Sequence, residues 1–149
     1  MKKIILIAAM VLGFAVAATA QPRALGARIG NGAEISYQHD MDGNFLEIDG
    51  GLGLGLGDGT MNIGATGIYN FMISQFGDGF GFYAGPGASL GGILGTMHAA
   101  VVGQVGLEYF FEGLPLQLSL DVRPSVGFNF AGGPLYWSAA AGLGVRYAF

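Results

Sequence analysis

The chain has 149 residues, enough for one domain and too few for two. It is 52% hydrophobic and only 11% charged, against roughly 25% in ordinary soluble domains, so its outer surface calls for an apolar solvent. Cysteine is absent, which excludes disulfides and thiolate metal sites, and six Lys and Arg against ten acids leave no basic patch for nucleic acid.

In chain order, the first twenty residues read as targeting. Met1, Lys2 and Lys3 form a positive n-region, Ile4 to Ala17 an apolar h-region, and Ala18-Thr19-Ala20 an A-x-A site, predicting cleavage between Ala20 and Gln21. The apolar run falls short of the about 20 residues a spanning helix needs, and no basic stop-transfer flank follows it. Gln21 stands where a lipoprotein would need Cys. The expected mature domain is 21–149, with Arg23, Arg28, Arg123 and Arg146 as its only bases.

From Ala27 onward a period of two recurs and no sustained helical spacing appears, so the mature chain reads as all-β. A first strand near 25–38 sets Ala27, Ile29, Ala33, Ile35 and Tyr37 against Arg28, Glu34, Ser36 and Gln38. A second near 45–56 opposes Leu46, Ile48, Leu52 and Leu54 to Glu47, Asp49 and three glycines. The third and fourth, near 61–73 and 80–91, put Ile63, Tyr69, Phe71, Phe80, Phe82 and Leu90 on the apolar phase and Tyr83 on the other. The fifth, near 98–110, opposes Val101, Val105, Leu107 and Tyr109 to Gln104 and Glu108. The sixth, near 115–123, alternates Leu116, Leu118, Leu120 and Val122 with Gln117, Ser119, Asp121 and Arg123. A short seventh near 125–131 and an eighth near 135–149 complete the count.

All eight charges inside these strands, Arg28, Glu34, Glu47, Asp49, Glu108, Asp121, Arg123 and Arg146, fall on the non-apolar phase. A soluble barrel also alternates, but studs its outer phase with lysine and other solvated groups. Here the polar phase is glycine, small residues and no lysine, as in an inside-out barrel with lipid around it. Asp42-Gly43, Asp58-Gly59 and Asp78-Gly79 supply turns between strands, and Gly132-Gly133-Pro134 another. With both termini periplasmic, Tyr37, Phe71, Phe80, Phe82, Tyr109 and Trp137 would gather at the outer ends and Tyr147 and Phe149 opposite, as two interfacial belts. Closure follows, because an open edge in hydrocarbon leaves backbone groups unpaired. The expected fold is a closed, antiparallel, eight-stranded, up-and-down transmembrane β-barrel.

Tyr83-Ala84-Gly85-Pro86-Gly87, Gly106-Leu107-Glu108-Tyr109 and the run from Leu114 to Pro124 resemble segments of small outer-membrane barrel-domain proteins, and the pattern over most of the mature chain is similar to the OmpX-like and OmpA-like eight-stranded barrels. Val145, Tyr147 and Phe149 resemble the C-terminal signal by which such barrels are recognised for assembly. The resemblance implies an outer-membrane location and partners limited to the lipid bilayer, periplasmic chaperones and the barrel-assembly machinery. It implies a monomer, with no cofactor and no assigned reaction. The expected outer loops, 39–44, 74–79, 111–114 and 131–134, are short, a departure that argues against an adhesive role.

An eight-stranded barrel has just room for side chains inside, so the eight inward charges are expected to form a structural ion network. Five acids against three arginines leave a proton, water chain or cation to be supplied. The functional reading is an envelope structural or surface-interaction protein without catalysis. Its alternatives are an outer-membrane lipid-modifying enzyme, a narrow channel, and a soluble periplasmic ligand-binding barrel. For the enzyme, His39 lies beside Ser36, Asp40 and Asp42 at an outer loop, but Ser36 should point inward; His98, which begins the expected fifth strand at the periplasmic end, has less support. Two distant histidines make no metal site. The glycine–leucine run 51–57 is not a phosphate loop, because no helix follows it. Gly53 would then line a crowded interior, where a large side chain impairs folding.

Overall fold

The computed structural model describes residues 21–54, 61–93 and 96–149. The expected leader with its Ala20–Gln21 junction, and the Asp58-Gly59 turn, lie wholly or partly outside them. Eight strands run in order, β1 (Pro22–Ile29), β2 (Gly32–Met41), β3 (Asn44–Leu54), β4 (Met61–Phe76), β5 (Phe80–Ile93), β6 (Thr96–Phe110), β7 (Leu116–Asn129) and β8 (Tyr136–Ala148). Each pairs antiparallel with its neighbours and β8 returns to β1, giving a closed up-and-down barrel. Following paired residues once around from Ala24 through Gln38, Glu47, Ile68, Gly87, Val102 and Ser125 arrives at Ser138. Ala24 itself pairs with Ala148, ten residues further on. That stagger tilts the strands by about 40° and leaves an interior sized for side chains.

The strand number agrees with the sequence expectation, but two boundaries do not. The expected first strand is two, β1 and β2, folded at Gly30 and Asn31, where the Gly30 amide donates to the Gly32 carbonyl over 3.0 Å. The expected sixth and seventh are one, β7, which runs straight through Pro124. Both have a physical cause. The first hairpin pairs Ile29 with Ala33 and Ala27 with Ile35, so odd residues face outward on both arms and the alternation continues across the turn unbroken. Pro124 has no amide to donate, and the β6–β7 ladder is interrupted between the Val102–Ser125 and Val105–Val122 pairs. On its other side Pro124 stays in register with Ala139 of β8, which carries the strand past it.

The extra hairpin reverses the direction of the strands from β2 to the first half of β7, and the merging of the expected sixth and seventh strands restores the expected direction of β8. One end of the barrel, the near end, holds the start of β1, the end of β8 and the turns at 42–43, 77–79 and 111–115. The far end holds the turns at 30–31 and 130–135. Tyr37, Phe71, Phe80, Phe82 and Tyr109 therefore share the near end with Tyr147 and Phe149, and only Trp137 lies at the far end, correcting the expected distribution. Three of the four expected outer loops, all but 131–134, are likewise near-end turns. Asp42 and Gly43, with φ of 56° and 92°, make the two-residue turn that Asp-Gly favours.

The burial pattern is inverted relative to a soluble protein. Among the described residues thirteen polar or charged side chains are buried against six apolar ones, while twenty-seven large apolar side chains are exposed. Exposed aromatics sit at both ends. Near-end neighbours include Phe76 and Phe80 with ring centres 5.7 Å apart and Tyr147 and Phe149 at 5.1 Å; at the far end Phe128 and Phe130 lie at 5.2 Å.

Candidate functional site

The interior divides into two halves. The near half is filled by long polar side chains that alternation turns inward from six strands. Glu47 on β3 lies at their centre, its carboxylate accepting from Arg123 at 2.6 Å, Arg146 at 2.9 Å and Gln38 at 2.8 Å. Arg146 also donates to Ser36 at 2.8 Å and Ser119 at 2.7 Å, and Arg123 to Asp49 at 2.5 Å. Arg28 donates to Asp121 at 2.5 Å and Glu34 at 3.0 Å, and Arg123 reaches the same Glu34 oxygen at 3.4 Å. Each guanidinium thus meets acceptors on at least two other strands, the arrangement that makes buried charge tolerable.

Glu108 joins the others through a residue the sequence reading left out. Arg23 chelates Glu108 with two nitrogens and donates to Gln38 at 2.7 Å, while Gln117 donates to both Gln38 and Glu108. Its guanidinium lies over the rings of Phe45 and Phe110, 4.3 and 4.9 Å from their centres. Odd numbering on β1 would turn Arg23 outward, but a register shift between Pro22 and Ala24 swings it inward. A lone arginine on an apolar phase was the available signal for that bulge. With Arg23 the interior holds four arginines against five carboxylates, in place of the expected three against five.

Inward glycines make room for these side chains. A Cβ at Gly142 would lie 2.3 Å from the Arg28 guanidinium, and one at Gly106 2.3 Å from the Tyr83 ring, which packs edge-on against Phe45. Gly53 differs: a Cβ there meets nothing closer than Asn62 at 3.8 Å. The expected crowding at Gly53 is therefore corrected, because this glycine lines open space at the far end.

That space is a cavity of about 520 Å³, floored by Arg28, Glu34 and Arg123 and walled by Gly32, Gly51, Gly53, Gly64 and Gly91 with short polar side chains between them. His98 and Tyr136 lie there with ring centres 6.3 Å apart. His98 therefore sits at the far end rather than the end of the chain termini where the sequence reading put it. His39 is at the near end, on the outward face beside Tyr37, while Ser36 points inward to Arg146 and Glu47. The two lie on opposite faces of β2, so the histidine–serine–acid grouping considered from sequence is not assembled. Val145, Tyr147 and Phe149 all lie exposed on the outer surface.

Comparison with known proteins adds no further anchor: no protein-family model, curated protein or solved structure matches the chain. The class defined by fold and site is a closed eight-stranded β-barrel with a charged plug under a polar cup.

Proposed function

We propose that this chain is a small integral barrel of the bacterial outer membrane, with a structural or surface-interaction role in the envelope and no catalysis. The observation that carries the reading is the inverted barrel wall, with apolar side chains outside around a plug of ion pairs. In hydrocarbon such a wall is soluble and a closed ladder leaves no backbone group unpaired. The exposed aromatics at both ends supply interfacial belts, and β2–β8, with 10–16 residues each, reach the about 9–11 that a tilted spanning strand needs. A soluble ligand-binding barrel would carry a cavity walled mainly by apolar side chains, and in this one Ala65, Leu90, Val102 and Ala140 are outnumbered by glycines and polar residues.

The near end faces the periplasm in this reading. Asp40, Asp42, Asp78 and Glu112 sit on its rim, and an acidic rim suits the side away from a phosphate-rich lipid surface. The likeness to OmpX-like and OmpA-like barrels belongs to the same proposal. The test is to express the chain in a Gram-negative host, extract membranes with detergent, and compare boiled with unboiled protein on a gel. Membrane retention with a heat-dependent shift is expected, together with labelling of an Asn31→Cys variant, and not of Asp78→Cys, by a membrane-impermeant maleimide on whole cells. A soluble product without a shift overturns the reading.

A further inference from the structure

Glycine and short side chains occupy most inward positions of the far half and the plug closes it below, so the lumen there is a cup with a floor and not a passage. Its walls offer the side chains of Asn62, Thr66, Ser89, Ser125, Asn129 and Ser138, which are uncharged and both donate and accept hydrogen bonds. Ser125 and Ser138 already pair across β7 and β8 at 2.9 Å. Of the three charged side chains on the floor, Glu34 is the most exposed. Glu34 has 26% of its side chain exposed, against 0–2% for the other four carboxylates of the plug, and it is held from below by Arg28 and Arg123. Tyr136 and His98 add aromatic surface to the wall.

We propose that this cup is a binding site for a small neutral polyhydroxylated ligand, of the size of one or two sugar rings. The volume of about 520 Å³ lies within the range of small-molecule sites. Neutral hydroxyl and amide walls match ligand hydroxyls one for one, without desolvating an ion. The Glu34 carboxylate, fixed by two guanidiniums, is a strong acceptor for hydroxyl donors. The rings of Tyr136 and His98 take an apolar sugar face. The two guanidiniums on the floor are already paired with carboxylates, which leaves an anionic ligand without a free partner. The inference rests on the shape of the lumen, and the membrane reading decides only from which side the ligand arrives.

The test uses the full barrel, refolded in detergent and isotope-labelled, titrated with glucose, galactose and sucrose while the amide resonances are followed. Saturable shifts confined to Asn62, Asn129, Ser125 and their neighbours, with a midpoint of order millimolar, are expected for at least one sugar. Gly53→Trp fills the cup from a position with room for a side chain, and Ser138→Phe fills it from the opposite wall. Each should abolish the shifts while a heat-dependent gel shift reports that the barrel still forms. No response to any of the three sugars overturns the proposal. So does a response undiminished in the filled variant that folds, or one elicited only by tetramethylammonium, which would mark a cation site on Glu34. A barrel that binds sugar but is not retained in membranes would leave the cup standing and remove the membrane reading.

Discussion

The two halves of this lumen are built on the same ladders, the same alternation and the same strand tilt, yet one is solid and the other hollow. In the near half, inward side chains cross the axis and bond to strands on the other side: Arg123 on β7 and Arg146 on β8 reach Glu47 on β3, and Gln117 on β7 reaches Gln38 on β2. In the far half, the equivalent positions carry Gly53, Gly64 and Gly91 or short hydroxyls. The comparison teaches that backbone closure sets only the width of such a barrel. Side-chain length along each strand decides where the width is filled, and ion pairs are the filling that can span it.

The sharpest way to break that comparison is to remove a charge from the solid half. Arg123→Met leaves Glu47, Asp49 and Glu34 without a shared cation, and a broken buried pair costs about 3–5 kcal/mol. The urea midpoint of detergent-refolded protein should fall accordingly, whereas Ser138→Ala in the hollow half should stay within about 0.5 kcal/mol. Equal effects would mean that the plug does not carry the stability assigned to it.

Overpacking gives the next largest contrast. Gly106→Leu drives a side chain into the Tyr83 ring and should cost about 1–3 kcal/mol, while Gly53→Leu should be nearly silent. Adding Tyr83→Ala to Gly106→Leu should restore part of the loss, and additive damage would show that the two residues do not share that volume.

The smallest effect sharpens the boundary between plug and solvent. Arg23, with 14% of its side chain exposed, caps the plug at the near end, and Arg23→Gln should cost about 1–2 kcal/mol. That difference should shrink between low and high salt, as expected for a charge pair partly open to water, while the Arg123→Met difference should not. A salt-independent Arg23 effect would place the pair in the dry interior.

Much of this was legible from residue order. The period of two, the placement of charge on one phase and the scarcity of lysine specify which face of each strand turns inward, and the lumen holds Arg28, Glu34, Glu47, Asp49, Glu108, Asp121, Arg123 and Arg146 as that parity requires. The number of strands emerged through two offsetting errors, a hairpin not seen at Gly30 and Asn31 and a break wrongly placed at Pro124. Parity carries no information about a turn that preserves it, and a proline marks the end of a strand only if neither neighbour sustains it.

By itself, then, the sequence determined the β class and the phase of each strand that turns inward, because both are properties of local spacing. Only the tertiary structure decided the strand directions, the end at which each aromatic and histidine lies, the inward swing of Arg23 and the division into plug and cup. Those depend on register, and register depends on hydrogen bonds between residues as far apart as Ala24 and Ala148, which no local pattern records.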